Sequence, residues 1–366
     1  MKILVVDNIF LAGSGGEAHM TEVSKYWSKS HEVQILTPKD DELIAGLSGL
    51  RGLRLYLAIL AIYAYRIFKT PFISHKGSDI IIAVSHYPQD VLSAAFLHLT
   101  SPKSKLVIYH HGLQIPPEHK TFFRFGSIVY NYLGSFLAIL FSDLIFTVNK
   151  STRDYLLRFG AKSDKIKLIN NGVSIERVGE VSDHTKYYDA CFLGRLNISK
   201  GVLDLPKIWS IVQNKRENAK LVIIGAGPEK DEIKKLSKKL RLEDSIVLTG
   251  FLLDKKYEIL KNSKVLISPS YQESWGIAVA EAMVCGLPVV AYYLPEYTEV
   301  FSDKLITVPV GDIAGIADRV IFLLDNPEVA KEMGNMNRAF IKRYDWRLIA
   351  EMELSAIIAL KGKTWT

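Results

Sequence analysis

Glu273 and Glu281 stand with seven residues between them, and Gly276 lies inside that interval. The stretch is Ser268-Pro-Ser-Tyr-Gln-Glu-Ser-Trp-Gly-Ile-Ala-Val-Ala-Glu281. Upstream, the apolar run Lys264-Val-Leu-Ile267 predicts a short buried strand. Downstream, Ala-Val-Ala-Glu-Ala-Met-Val-Cys predicts a helix closed by Gly286. A strand, a glycine-bearing loop and a helix N-terminus together make an anion site. Free backbone N–H groups and the positive end of the helix dipole point at whatever sits above the loop. Two carboxylates beside a phosphate would repel it unless they face something else. An ionised carboxylate only accepts hydrogen bonds, and a vicinal diol offers two donors. The chemistry indicated is recognition of a ligand that carries both phosphate and sugar.

Other residues fit the same ligand. Tyr188–Leu193 predicts a strand, and Gly194-Arg195-Leu-Asn-Ile-Ser-Lys200-Gly201 follows it. The Arg195 guanidinium matches two phosphate oxygens and Lys200 adds a point charge. Histidines follow two further strands: His86 after Asp79–Val84, and His110 and His111 after Lys105–Tyr109. The C-terminal ends of strands are where α/β sheets put ligands. Near the N-terminus, Gly13-Ser-Gly-Gly16-Glu17-Ala18 matches a dinucleotide fingerprint in letter only. Its first glycine comes too late after Asp7 for a tight turn, and no acid ends the second strand at Leu36-Thr37-Pro38. Gly225-Ala-Gly227-Pro228 likewise has Lys230 where a third glycine belongs, and Pro228 suits the first turn of a helix.

Glu273-x7-Glu281 with Gly276, followed by Gly286-Leu-Pro-Val-Val, resembles the E-x7-E signature of the retaining glycosyltransferases of family 4, which have the GT-B fold. The resemblance covers nearly the whole chain, strongest over 187–300 and weakest over 40–140. It implies that Arg195 and Lys200, with Gly194, grip the donor diphosphate. Glu273 would hold the sugar hydroxyls and Glu281 the ribose, with Ser274, Trp275, Gly276 and Ile277 lining the same site. Gly250 and Phe251 would meet the base. Gly15 and Gly16 would let the backbone approach the ligand. His111 would face the reacting carbon, with His110 as its register rival and His86 as a weaker acceptor contact. Trp346 resembles the family's tryptophan before the last helix.

Two domains are expected for 366 residues of globular composition. Cys191 and Cys285, both in apolar contexts, read as buried thiols in a reducing compartment, so a cytoplasmic location is expected. No signal peptide is visible. The net charge of +7 fits an anionic ligand or lipid surface. The basic residues are scattered without interleaved aromatics, which argues against nucleic acid. Residues 51–69 form an apolar helix with basic ends, too short to span a bilayer. It fits a helix lying on an anionic membrane surface. It fits equally a helix buried against the sheet with its arginines snorkelling outward. Phe122–Leu140 reads as a buried helix, part of which could touch lipid.

The expectation is therefore an α/β chain of GT-B type, two Rossmann-like domains facing across a cleft. The N-terminal, acceptor-side domain spans 1–172 and the donor domain 173–345, with 346–366 a helix packing back on the first. The expected activity is a metal-independent, retaining transfer of a sugar from a nucleotide-diphosphate donor to an acceptor hydroxyl. The acceptor would be a lipid-linked or membrane-associated glycan, and the enzyme peripheral on the cytoplasmic membrane face. No cofactor beyond the donor is implied. No carboxylate can be assigned opposite the leaving group, so front-side departure and attack is expected rather than a covalent intermediate. A soluble transferase acting on a metabolite or protein stays open, as do an NAD(P)-binding oxidoreductase and an inactive sugar-nucleotide binder.

Overall fold

A computed structural model describes residues 1–7, 15–36, 52–70, 77–113, 121–179 and 187–362. The loop expected to carry Gly13 and Ser14 lies outside the described residues. The chain forms two compact units, one of Met1–Asn170 with Arg347–Thr366 and one of Asn171–Trp346.

The first unit alternates strands and helices: β1 (Lys2–Val6), α1 (Gly15–Trp27), β2 (Glu32–Leu36), α2 (Gly52–Lys69), β3 (Ile80–Ala83), α3 (Pro88–Leu99), β4 (Lys105–His110), α4 (Thr121–Phe141), β5 (Leu144–Thr147), α5 (Lys150–Arg158) and β6 (Ile166–Leu168). The sheet runs β2-β1-β3-β4-β5-β6, with every pairing parallel. Its inner strands are apolar on both faces, as Ile-Ile-Ile-Ala of β3 illustrates, because helices cover both sides. The order reverses direction between β1 and β3, which opens a crevice at their C-terminal ends.

The second unit contains α6 (Ile175–Gly179), β7 (Tyr188–Leu193), α7 (Leu205–Lys215), β8 (Leu221–Ile224), α8 (Lys230–Lys239), β9 (Ile246–Gly250), α9 (Lys256–Lys261), β10 (Ser263–Ser268), α10 (Ile277–Val284), β11 (Val289–Tyr292), α11 (Pro295–Phe301), β12 (Ile306–Val308), α12 (Ile313–Asp325) and α13 (Pro327–Ile341). The parallel sheet order is β12-β11-β10-β7-β8-β9. This is a doubly wound sheet, with its first strand β7 in the middle. Its switch point falls between β7 and β10, the strands that lead into Gly194 and Pro269. The last helix, α14 (Trp346–Lys361), begins on the second unit, and from Arg347 it belongs to the first.

Three local expectations change. Pro228 does not open a helix: α8 starts at Lys230 behind the cap residue Glu229, and Pro228 lies in the preceding turn. Helix α2 packs along α3 with Ile62 and Arg66 buried, so Arg66 turns inward instead of snorkelling out. Its opposite side leaves Leu57, Leu60, Tyr65 and Phe68 exposed. Helix α4 is only half buried, with Phe125, Val129, Tyr132, Leu133, Phe136 and Leu140 exposed along one face. The closure of α10 matches expectation. Gly286 adopts a φ of +75°, its N–H reaches the carbonyl of Met283 at 3.0 Å, and Leu287 N–H reaches that of Ala282 at 3.1 Å.

Candidate functional site

In the second unit, the two loops at the switch point interlock. Asn197 caps a short turn by accepting the Lys200 N–H at 3.2 Å. Gly201 then takes a φ of +63° against the opposite loop, where a Cβ would lie 1.8 Å from the Pro269 carbonyl oxygen. The Ser199 carbonyl accepts the N–H groups of Tyr271 at 2.9 Å and Gln272 at 3.3 Å. Buried Asp204 accepts from the hydroxyls of Tyr292, at 3.0 Å, and Tyr271. Burial, with the Asp204 charge, raises the Tyr292 phenol above its ordinary value.

This interlock brings Lys200 to Glu273, Nζ to Oε1 at 2.6 Å. Ser270 Oγ also donates to that oxygen at 3.0 Å. The buried Tyr297 phenol, bonded to Ser268 Oγ at 2.8 Å, is pushed up first by burial and then by the Glu273 charge. Arg195 is exposed and makes no ion pair among the described residues, so its guanidinium is available to a ligand.

Gly276 caps α10 with a φ of +99° and ψ of +51°, and no side chain caps the helix. The first-turn N–H groups are left for solvent or a ligand. A Cβ at Gly276 would meet the Tyr297 ring at 2.8 Å and the Phe301 ring at 3.1 Å, so glycine is required twice over. Trp275 departs from the lining role expected of it. Its ring is 1% exposed and packs edge-on against Phe301 and Tyr344, leaving the indole as core. Ser274 and Ile277 are partly exposed beside it.

Glu281 is engaged by partners that sequence reasoning missed. Lys256 Nζ lies 2.6 Å from its Oε1, and Tyr257 OH donates to the same oxygen at 3.1 Å. Burial and the Glu281 charge push the Tyr257 phenol up. Each carboxylate of the pair thus carries its own lysine. No local pattern marks Lys256 as a partner, since it lies in a different β-α segment. At the end of β9, Gly250 has a φ of +80° with open space beside it, and Phe251 is 58% exposed.

In the first unit, the period of two along β4 separates the histidines. His110 is wholly buried, stacked on His86 at 3.7 Å between ring centroids and bonded to Ser135 Oγ at 3.0 Å. His86 Nε2 meets Asn131 Oδ1 at 3.1 Å. Asn131 and Ser135, with Gly134 against the His86 carbonyl, are the polar and small interruptions of the apolar α4. Burial holds His86 at about 4 and His110 well below its usual value.

His111 points the other way. Its Nε2 lies 3.0 Å from the Val84 carbonyl oxygen, which can only accept. The proton therefore sits on Nε2 and Nδ1 keeps a free lone pair. Burial, then the charge of His19, lower its pKa to about 3, so the ring is neutral near pH 7. Gly16 is the neighbour that admits this ring: a Cβ there would lie 3.0 Å from His111 Nε2. Gly15 and Gly16 open α1. Val84, Gly16 and His111 together occupy the switch point of the first sheet.

Among the described residues there is no cluster of three or more side chains suited to a metal ion, and no helix long and apolar enough to cross a membrane.

Residues 13–177 match the sequence model of Glycosyltransferase Family 4, and residues 176–340 that of Glycosyl transferases group 1. An uncharacterized glycosyltransferase of Methanocaldococcus jannaschii is 24% identical over 382 residues, covering 95% of each chain. The phosphatidyl-myo-inositol mannosyltransferase of Mycobacterium leprae is 29% identical over 211 residues, covering 55% of each chain. In structure, Anabaena HepE in complex with UDP and glucose superposes with a TM-score of 0.73 at 17% identity, covering 98% of this chain and all of the other. The shared fold is GT-B, two Rossmann-like α/β units.

Proposed function

The chain belongs to the family 4 glycosyltransferases, and from that premise we propose that it moves a sugar from a nucleotide-diphosphate donor to an acceptor hydroxyl, with retention at the anomeric carbon. The observation that carries the proposal is the Lys200–Glu273 pair at 2.6 Å, set beside the uncapped N-terminus of α10. The helix N-terminus, Arg195 and Lys200 meet the diphosphate as negative charge grows on the leaving group. Glu273 accepts from sugar hydroxyls and Glu281 from the ribose, the lysines giving way to ligand hydroxyls as they do so. Gly194 and Gly250 let the backbone approach the nucleotide, with Phe251 against the base. His111 accepts a hydrogen bond on Nδ1 from a hydroxyl of the donor sugar. Among the described residues no carboxylate takes the place of a nucleophile at the anomeric carbon, and in this reading departure and attack occur on one face. Three cationic features serve the diphosphate, and the reaction is accordingly metal-independent. Turnover that persists in EDTA is the expected result.

The acceptor we propose is a lipid-linked glycan at an anionic membrane. Exposed apolar side chains on α2 and α4 support it, including Phe68 at 76% exposure and Phe125 at 65%. The phosphatidylinositol in the name of the Mycobacterium leprae relative agrees with this class of substrate.

A thermal-shift panel of nucleotide sugars tests the donor assignment. One UDP- or GDP-sugar should raise the melting temperature in the wild type and fail to do so in Glu273→Ala. A shift with NAD(P) alone would instead support an oxidoreductase. Sedimentation with phosphatidylglycerol-containing vesicles, weakening as salt rises, tests the membrane assignment. No binding would turn the proposal to a soluble acceptor.

A further inference from the structure

One buried acid of the first unit has no part in the proposed transfer. On α14 the buried positions are Trp346, Ile349, Ala350, Glu353, Ile357 and Leu360, the apolar stripe of an amphipathic helix. Glu353 sits in the middle of that stripe at 0% exposure. A carboxylate buried without its partner is strongly destabilising. An isoleucine would fill the position without that penalty. The residue therefore does something packing alone does not need.

Its partner is His19 on α1, also at 0% exposure, with Nε2 2.7 Å from Glu353 Oε1. His19 lies one turn after Gly16 on the same face of α1. The His19 ring meets Tyr109 edge-on at 5.1 Å and His111 edge-on at 6.1 Å between centroids. Tyr109 in turn stacks on His111 at 5.9 Å, and burial with the Glu353 charge raises its phenol. His111 is thus held on three sides, by Val84 O, by the open face of Gly16 and by the His19–Tyr109 corner.

We infer that Glu353, through its hydrogen bond with His19, is a positioning residue that fixes the orientation and tautomer of the His111 imidazole. The pair keeps the His19 ring protonated on Nε2 and immobile. The immobile ring gives His111 one place to pack. The chain leaves the second unit at Trp346 and returns to the first through α14, so the returning helix carries a determinant of the first unit's candidate site. The inference rests on His111 as a donor-sugar contact, but its test contains no donor.

The full chain with ¹⁵N-labelled histidine would be studied by long-range ¹H–¹⁵N correlation at pH 7, with His111 assigned from its absence in His111→Gln. The wild type should show two well-separated His111 nitrogens, the signature of a single Nε2–H tautomer. In Glu353→Gln the two resonances should converge as the tautomers begin to exchange. His19→Gln should do the same and serves if Glu353→Gln does not fold. Trp27→Phe is the control. It removes the indole N–H bond to the Ala350 carbonyl, 3.0 Å, between the same two helices while leaving the pair intact. It should lower the melting temperature and leave the His111 signals in place. Unmoved His111 signals in a folded Glu353→Gln or in His19→Gln would overturn the inference, and so would equal movement in Trp27→Phe. The nucleotide-sugar panel fails or succeeds separately.

Discussion

Lys200 and Glu273, on loops that follow different strands, meet at 2.6 Å with 19% and 12% of their side chains exposed. On the proposed donor assignment, the ammonium neutralises this carboxylate until the ligand enters, and so removes a charge that would repel an approaching diphosphate. Lys200→Ala should therefore damage two properties. Glu273 loses its cation, at a stability cost of about 1–3 kcal/mol. Donor turnover falls by roughly 100- to 1000-fold, as for loss of one preorganised leaving-group contact. Denaturant titration and a donor-hydrolysis assay measure the two separately. A variant with wild-type turnover would remove Lys200 from the site.

The close approach of Gly16 to His111 invites a double-mutant cycle. A methyl group at Gly16 would sit 3.0 Å from Nε2 and 3.3 Å from Cδ2 of the imidazole. Gly16→Ala should cost about 1–3 kcal/mol by overpacking. In a His111→Ala background the same substitution should cost clearly less, because the obstructing ring is gone. Additive costs would mean that the two residues are not in contact.

The buried histidines make a statement about acid stability. His86 is held at about 4, His111 at about 3 and His110 well below its usual value, each chiefly by burial. Above the unfolded value of about 6.5, neither the folded nor the unfolded state binds a proton at these rings. Below it the unfolded chain binds protons that the folded chain refuses, so stability falls with falling pH. The slope approaches about 1.4 kcal/mol per pH unit for each ring. The loss begins near the unfolded value and continues down through the folded values. Urea midpoints should fall steadily as a neutral buffer is replaced by mildly acidic ones, and His86→Asn should flatten the curve. A wild-type midpoint constant over that range would contradict the assignment.

Two glycines with positive φ separate conformation from contact. At Gly250, φ is +80° and nothing lies within 4 Å of an added Cβ. Gly250→Ala should cost only the backbone penalty, about 1–2 kcal/mol. At Gly201 the added Cβ would strike the Pro269 carbonyl oxygen at 1.8 Å, so the two loops must part. Gly201→Ala should destabilise more and also weaken donor binding, since the contact it breaks is the one that carries Lys200 to Glu273. Circular dichroism melts and the nucleotide-sugar shift distinguish the cases.

The local elements of the donor-side site are legible in the sequence because each occupies one short window. A strand, a glycine and a helix start at 264–284 follow from apolar period and turn chemistry, and Arg195 and Lys200 stand in one loop after one strand. The same windows predict parallel α/β units, since runs such as Ile-Ile-Ile-Ala are apolar on both faces. The partners are not legible. Lys256 on Glu281, Tyr297 beside Glu273 and His19 on Glu353 join residues that the chain holds far apart. Which of them meet depends on strand order, and strand order is set by how whole helices pack on whole sheets. The direction of a ring is also a tertiary matter. Trp275 sits in the signature yet turns inward because Phe301 and Tyr344 offer it apolar surface, while His111 rather than His110 faces the crevice because β4 alternates its faces. Buried Glu353, in the apolar stripe of the last helix, is not singled out from the sequence. The helical period of the sequence puts Glu353 among apolar residues, where a carboxylate needs a partner, and only packing decides that His19 reaches its Oε1.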